Sequence, residues 1–224
     1  MKDYYSHSLS AHRLKQCYDL APPRVQQYLE AEIIHVLERI PGSSIVLELG
    51  CGYGRVLRRL VPQPRHAVGI DTSLESLTLA REILRGYPTC RLAAMDAVAM
   101  GFCDGQFDAV ICIQNGISAF HVDQRQLIAE AVRVTRPGGK VLFSSYSENF
   151  WDARLDWFHI QAEHGFVGEI DEAATGEGVI VCKDGFRATT VSDRDFAGLA
   201  SGLGLEAKIS EVDSSSLFCE LLVG

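Results

Sequence analysis

Five short runs constrain this chain most: Ile45–Leu49, Ala67–Asp71, Arg91–Met95, Phe107–Gln114 and Lys140–Ser145 are apolar almost from end to end. A strand with one wet face alternates apolar and polar residues, whereas unbroken apolar runs of this length mark strands covered on both faces of a parallel sheet. Parallel neighbours are joined by crossovers, and each gap between the runs is long enough for a helix. A helix is predicted from Pro23 to Ile40, with Val25, Leu29, Ile33, Val36, Leu37 and Ile40 on one face and Pro41-Gly42 as its stop. Thr72 with Glu75 has the form of a capping box, and Asp123 with Gln126 is a looser version opening a helix to Val134. Arg136-Pro137-Gly138-Gly139 is a turn into the fifth run. This alternation predicts an α/β fold: a doubly wound, Rossmann-like sheet with right-handed crossovers and helices on both faces.

The texture changes after Tyr146. Phe150, Trp151, Trp157, Phe158 and Phe166 crowd into a segment without strand periodicity, read as an insertion over 147–191. It closes with Val179–Lys183, Asp184-Gly185 and Phe186–Val191, a hairpin expected to turn through a type I′ pair. Ser192 and Asp195 open a helix through Leu203, and Leu205–Val212 and Leu217–Val223 are spaced to pair as an antiparallel hairpin. With 224 residues the chain is expected to be a single domain, 1–224. Residues 1–40 form its N-terminal lid and helix, and 147–191 a possible substrate lid. Tyr4, Tyr5, Tyr18 and Tyr28 could close over a ligand or pack on the sheet.

Charge and composition narrow the partners. A net charge of −8 argues against a large phosphate-binding surface, and Arg55, Arg58 and Arg59 form only a small basic patch, so no nucleic acid is expected. No apolar run approaches the roughly 20 residues of a membrane span, so no membrane contact is expected. The first twenty residues carry Lys2, Asp3, His7, His12, Arg13 and Lys15 and no apolar block, unlike a secretory leader. Seven cysteines, odd in number and never in CxxC spacing, read as free thiols in a reducing compartment, hence a cytoplasmic protein. His159 and His164 have Asp156 and Glu163 nearby but no zinc-ligand spacing, and no metal is expected.

The segment that carries chemistry is Val46-Leu47-Glu48-Leu49-Gly50-Cys51-Gly52-Tyr53-Gly54, a strand running through a glycine turn into a helix. Glycines let the backbone bend sharply and let a ligand approach the main chain, while a helix start offers free N–H groups. Glu48 inside a buried strand is costly unless it has a partner. Asp71 ends the second strand, where a rim carboxylate can accept from a ribose diol, and Asp96 with Ala97 follows the third, suited to the edge of an adenine. Either aspartate could instead cap the next helix. The fourth strand ends Ile113-Gln114-Asn115-Gly116 at the same rim.

With these residues the chain resembles the class I S-adenosylmethionine-dependent methyltransferases of small-molecule (methyltransferase type 11-like) type. The resemblance is good over roughly 37–145 and looser at the last strand pair. It implies a seven-stranded sheet of order 3-2-1-4-5-7-6 with the last strand antiparallel. It also implies S-adenosyl-L-methionine as cofactor and S-adenosyl-L-homocysteine as product. Glu48, Gly50, Cys51, Gly52 and Gly54 would form the methionine-binding turn, and Asp71 with Thr72 would hold the ribose. Asp96 and Ala97 would meet the adenine, and Ile113 and Gln114 would flank the methionyl part.

The expected reaction is in-line methyl transfer to a small-molecule acceptor by a monomer or homodimer. An activated methyl requires orientation more than acid–base catalysis, and no catalytic dyad stands out. Asn115, His121, Tyr146 and Trp151 are candidates for the acceptor side, although a lone loop histidine is more commonly solvated and an aromatic cluster more commonly core. The (Asp or Asn)-Pro-Pro-aromatic motif of amide- and base-methylating relatives is absent after strand four. The alternatives are a non-catalytic S-adenosylmethionine-binding partner subunit and a nicotinamide-dependent oxidoreductase. The latter's GxGxxG fingerprint fails here because Arg55 stands where its third glycine belongs.

Overall fold

A computed structural model describes residues 11–224, so Tyr4 and Tyr5 lie outside the described residues. From there the chain runs α1 (Ala11–Asp19), α2 (Pro23–Leu37), β1 (Ile45–Leu49), α3 (Arg55–Leu60), β2 (His66–Asp71), α4 (Leu74–Ile83) and β3 (Cys90–Ala94). Next come β4 (Phe107–Cys112), α5 (Gly116–Ala119), α6 (Gln124–Val134), β5 (Thr135–Tyr146) and α7 (Trp151–Glu163). It closes with β6 (Ile180–Val181), β7 (Arg187–Ala188), α8 (Asp193–Ser201), β8 (Ala207–Val212) and β9 (Ser216–Leu222).

Seven strands form one sheet in the order β3-β2-β1-β4-β5-β9-β8. The first five are mutually parallel, with Val46 opposite Ala67 and Leu47 opposite Val110. Strand β9 inserts antiparallel against β5, Phe143 facing Cys219, and β8 pairs antiparallel with β9 at the edge. This is the expected Rossmann-like order, β9 and β8 taking the seventh and sixth places.

Strand alternation divides the core. Val46, Ala109, Ile111 and Leu142 meet Ile33 and Val36 of α2 and Val56 and Leu60 of α3 on one face. Leu47, Val110, Cys112, Val141 and Phe143 meet Leu127, Ile128 and Ala131 of α6 and Phe196 of α8 on the other. Each fully buried Leu, Val or Phe contributes roughly 1.5–3 kcal/mol, so the two apolar faces hold both helix layers.

Several local expectations shift. The cap of α4 is Ser73, whose side chain accepts from the Ser76 N–H, one residue later than the expected Thr72–Glu75 box, because Asp71 already turns the chain by accepting from the Ser73 N–H at 2.8 Å. Helix α6 keeps its Asp123 cap and α8 has the full Ser192–Asp195 box. Strand β3 is partly solvated, being an edge with one neighbour. Strand β4 stops at Cys112 because Gln114 and Asn115 turn to left-handed backbone, φ 58° and 60°. The Asp184-Gly185 turn is not type I′, which needs positive φ at both central residues. Only Gly185 (φ 92°) is left-handed, and Cys182 N–H donates to Phe186 O, giving a three-residue loop ending in a glycine bulge.

Candidate functional site

The ends of β1, β2 and β4 point the same way, so the turns that follow them converge on one rim. A cavity of about 350 Å³ opens there. Its floor comes from these turns and its roof from α1 and α7, which supply Leu14, Cys17 and Tyr18 and Trp157, Phe158 and Gln161.

The glycine turn is left-handed at Gly50 (φ 69°), Gly52 (φ 51°) and Gly54 (φ 83°). A Cβ on Gly50 would stand 2.4 Å from the Phe120 ring, which also lines the cavity. The turn is tied to β2: Cys51 N–H donates to Ile70 O at 2.9 Å and Gly52 N–H to Asp71 Oδ2 at 2.8 Å. Asp71 thus joins two loops while its residue lines the cavity. Asp96 accepts from the Val98 N–H at 3.0 Å in a turn that opens no helix, and also lines the cavity.

Glu48 is buried, and its Oε2 has no hydrogen-bond partner. Burial pushes its carboxyl up to about 8; Arg55 works against that and Asp71 adds to it. A second buried acid, Glu32 of α2, takes the Gln114 N–H at 2.7 Å and the Ser216 hydroxyl at 2.6 Å. It clamps the left-handed turn after β4 from beneath, and burial raises it to about 7.

Of the residues expected to meet the cofactor, Glu48, Gly50, Gly52, Asp71, Thr72, Asp96, Ala97, Ile113 and Gln114 line this cavity. Cys51 and Gly54 do not. Cys51 packs into the core with Leu57 and Ala67, and Gly54 is the left-handed entry to α3, where a Cβ would meet Leu84 at 2.9 Å. Among the acceptor candidates Asn115 and Tyr146 line the cavity, whereas His121 and Trp151 do not. His121 is exposed beyond α5, and Trp151 packs beside Phe158 and Val167. The Asn115 amide is committed within the fold: Nδ2 donates to Thr189 O at 2.9 Å and Oδ1 accepts from the Ser145 hydroxyl at 2.9 Å.

The aromatic cluster divides. Phe150 packs against Tyr28 in the core beneath α2, while Trp157 and Phe158 face the cavity. The titratable groups at this end are held protonated, with burial pushing Cys17 and Tyr146 up to about 12 and raising Tyr18 well above its ordinary value. Among the described residues no group of three or more His, Cys, Asp or Glu is placed to hold a metal ion, and no helix is long and apolar enough to cross a membrane.

Comparison with known proteins places residues 46–139 in a family model described as a methyltransferase domain. A 2-methyl-6-phytyl-1,4-hydroquinone methyltransferase of Synechocystis sp. is 26% identical over 189 residues, covering 73% of this chain and 58% of that protein. The chain therefore spans less than two thirds of that relative's length. The structure of the PH0226 protein from Pyrococcus horikoshii OT3 superposes with a TM-score of 0.67 at 21% identity over 100% of both chains. A DhpI complex with S-adenosylmethionine superposes with a TM-score of 0.65 at 21% identity, over 97% of this chain and 94% of that one. At such identities the two structures speak for the fold.

Proposed function

We propose that this chain is a class I S-adenosylmethionine-dependent methyltransferase, a reading supported by the methyltransferase-domain match over residues 46–139, and that it methylates a small molecule bound beside the cofactor in the rim cavity. One observation carries the reading: a single cavity joins an acidic end at the glycine turn to an aromatic end beneath α7.

The acidic end fits the cofactor. Glu48 offers a buried carboxylate oxygen with no protein partner, the kind of group an ammonium relieves. Gly50 and Gly52 leave space that a Cβ would take. Asp71 stands at the end of β2 as the ribose acceptor beside Thr72, Asp96 and Ala97 border the adenine, and Ile113 and Gln114 flank the methionyl chain. When bound, the cofactor would supply an electrophilic sulfonium methyl group for transfer to the acceptor's nucleophile, with a thioether as the leaving group. The chain's part is to orient the acceptor and exclude water. Leu14, Tyr18, Tyr146, Trp157 and Phe158 do the latter, and the protonated Cys17, Tyr18 and Tyr146 are unsuited to act as bases at neutral pH. Segment 147–191 serves as an acceptor lid. The Synechocystis relative's name, a hydroquinone methyltransferase, agrees with a small-molecule acceptor.

Calorimetry with S-adenosylmethionine, S-adenosylhomocysteine and NAD, on wild type and Asp71→Ala, tests the reading. Binding of both sulfur ligands, weakened in the variant, is expected. Binding of NAD instead, or of none, overturns it.

A further inference from the structure

We propose that the aromatic end of the cavity is a subsite for an uncharged, flat aromatic compound bearing a hydrogen-bond-accepting oxygen, with Trp157 Nε1 as its donor. The inference rests on the methyltransferase reading and names the acceptor class within it.

Charge makes the first selection. The charged side chains lining the cavity among the described residues are Glu48, Asp71 and Asp96, all acidic and all at the glycine-turn end. A carboxylate or phosphate acceptor would enter with no lining cation to compensate its lost hydration. Arg154 stands outside the lining, its guanidinium 4.5 Å from the Tyr146 ring, with Nη1 donating to Gly178 O and Nη2 to Ala188 O at 2.9 Å each. A cationic acceptor would find no acid of its own at this end, because Glu48, Asp71 and Asp96 lie at the cofactor's end. A neutral acceptor escapes both penalties.

Shape and polarity make the second. Tyr18 and Trp157 are tilted against each other with centroids 5.8 Å apart, and Trp157 and Phe158 meet edge to face at 6.3 Å, so the wall offers ring faces to a planar guest. One N–H donor there lacks a partner, the Trp157 indole, itself 4% exposed. A buried donor left unpaired costs about 1–3 kcal/mol, which a guest oxygen would recover. The wall is braced, because Asn115 joins β4 to Thr189 while Ser145 accepts from the Val191 N–H at 2.8 Å.

The test uses protein saturated with S-adenosylhomocysteine and four probes on one ring system: 2-naphthol, naphthalene, 2-naphthoate and 2-naphthylmethylammonium, titrated by calorimetry. We expect 2-naphthol to bind at least about tenfold more tightly than either charged probe, and about fivefold more tightly than naphthalene. Trp157→Phe keeps the ring and removes the N–H, so it should bring 2-naphthol down to the level of naphthalene while leaving naphthalene and S-adenosylhomocysteine affinities unchanged. Failure of 2-naphthol to bind the loaded protein, equal or tighter binding of a charged probe, or an unchanged naphthol-to-naphthalene ratio in Trp157→Phe overturns the subsite alone. Failure of S-adenosylhomocysteine itself to bind overturns the methyltransferase reading and the subsite with it.

Discussion

The Gly52 N–H donates to Asp71 Oδ2 at 2.8 Å, so the carboxylate that ends β2 also holds the turn that ends β1. Its other oxygen takes the Ser73 N–H at the same distance. Asp71→Ala therefore removes the proposed ribose contact and loosens the loop that shapes the pocket. Hydrogen bonds to a charged group contribute about 1.5–3 kcal/mol each, so S-adenosylhomocysteine affinity should fall roughly 100-fold by calorimetry. Asp71→Asn retains one accepting oxygen and should lose about tenfold. An Asp71→Ala affinity within twofold of wild type would remove Asp71 from the site.

Gly50 stands closest to the edge of what the turn tolerates. At φ 69° a side chain is strained, and its Cβ would overlap the Phe120 ring at 2.4 Å. Gly50→Ala should cost about 1–3 kcal/mol in urea denaturation and, by pushing Phe120 through the cavity wall, lower cofactor affinity by more than the stability loss implies. Phe120→Ala in the same chain relieves the overlap and should restore part of the binding. If the double variant binds no better than Gly50→Ala, the collision is not what closes the pocket.

The floor of the site was legible because each of its residues lies at or just past the end of a strand of the parallel sheet, and strand ends are local features. Glu48, Asp71, Asp96 and Gln114 needed only the strand assignments to be brought together. The roof was not legible. Leu14, Cys17 and Tyr18 reach the cavity because α1 crosses to α4, where Ala11 N–H donates to the Ser76 hydroxyl, and to 165, where Arg13 reaches the Gly165 carbonyl. Neither contact leaves a periodic signal. Trp157 rather than Trp151 faces the cavity because of how α7 is rotated, and this helix is apolar on no single face, so its sequence could not indicate the orientation. Glu32 shows the same limit: its partners Gln114 and Ser216 lie far along the chain, and its only sequence signal is an acid on the apolar face of a predicted helix.

Asn115 and His121, both acceptor candidates from sequence, are separated by their surroundings. Asn115 is buried and bridges Thr189 O and Ser145 Oγ, so Asn115→Ala strands two polar partners and should destabilise the protein by about 1–3 kcal/mol, with proteolysis of the 180–191 strap as a second readout. His121 is exposed and off the cavity at φ 52°, a conformation asparagine also tolerates. His121→Asn should change stability by less than about 0.5 kcal/mol and leave cofactor affinity unaltered. A larger effect of His121→Asn than of Asn115→Ala would reverse this assignment.

Glu48 and Glu32 set a pH dependence whose sign is unusual for carboxylates. Burial raises both, to about 8 and about 7, with Arg55 opposing each shift, Asp71 adding to that of Glu48, and the Ser216, Ser144 and Gln114 donors limiting that of Glu32. Unfolded, both ionise near pH 4.5, so between there and the folded values the native chain holds more protons than the unfolded one, and stability falls as pH rises. Buried His35, whose shift is downward, acts mainly below pH 6.5, and the raised cysteines act mainly near 9 and above, which leaves pH 6.5–8.0 as the clean window. Urea midpoints of the ligand-free protein should decline across it, at no more than about 1.4 kcal/mol per pH unit for each group. Glu48→Gln should remove the part of the decline above pH 7. Affinity for S-adenosylhomocysteine should move the opposite way, rising with pH as Glu48 ionises to receive the ligand's ammonium, and Glu48→Gln should flatten that rise too. Stability that climbs across this window, or affinity that falls, would mean that Glu48 is not the buried acid facing the ligand.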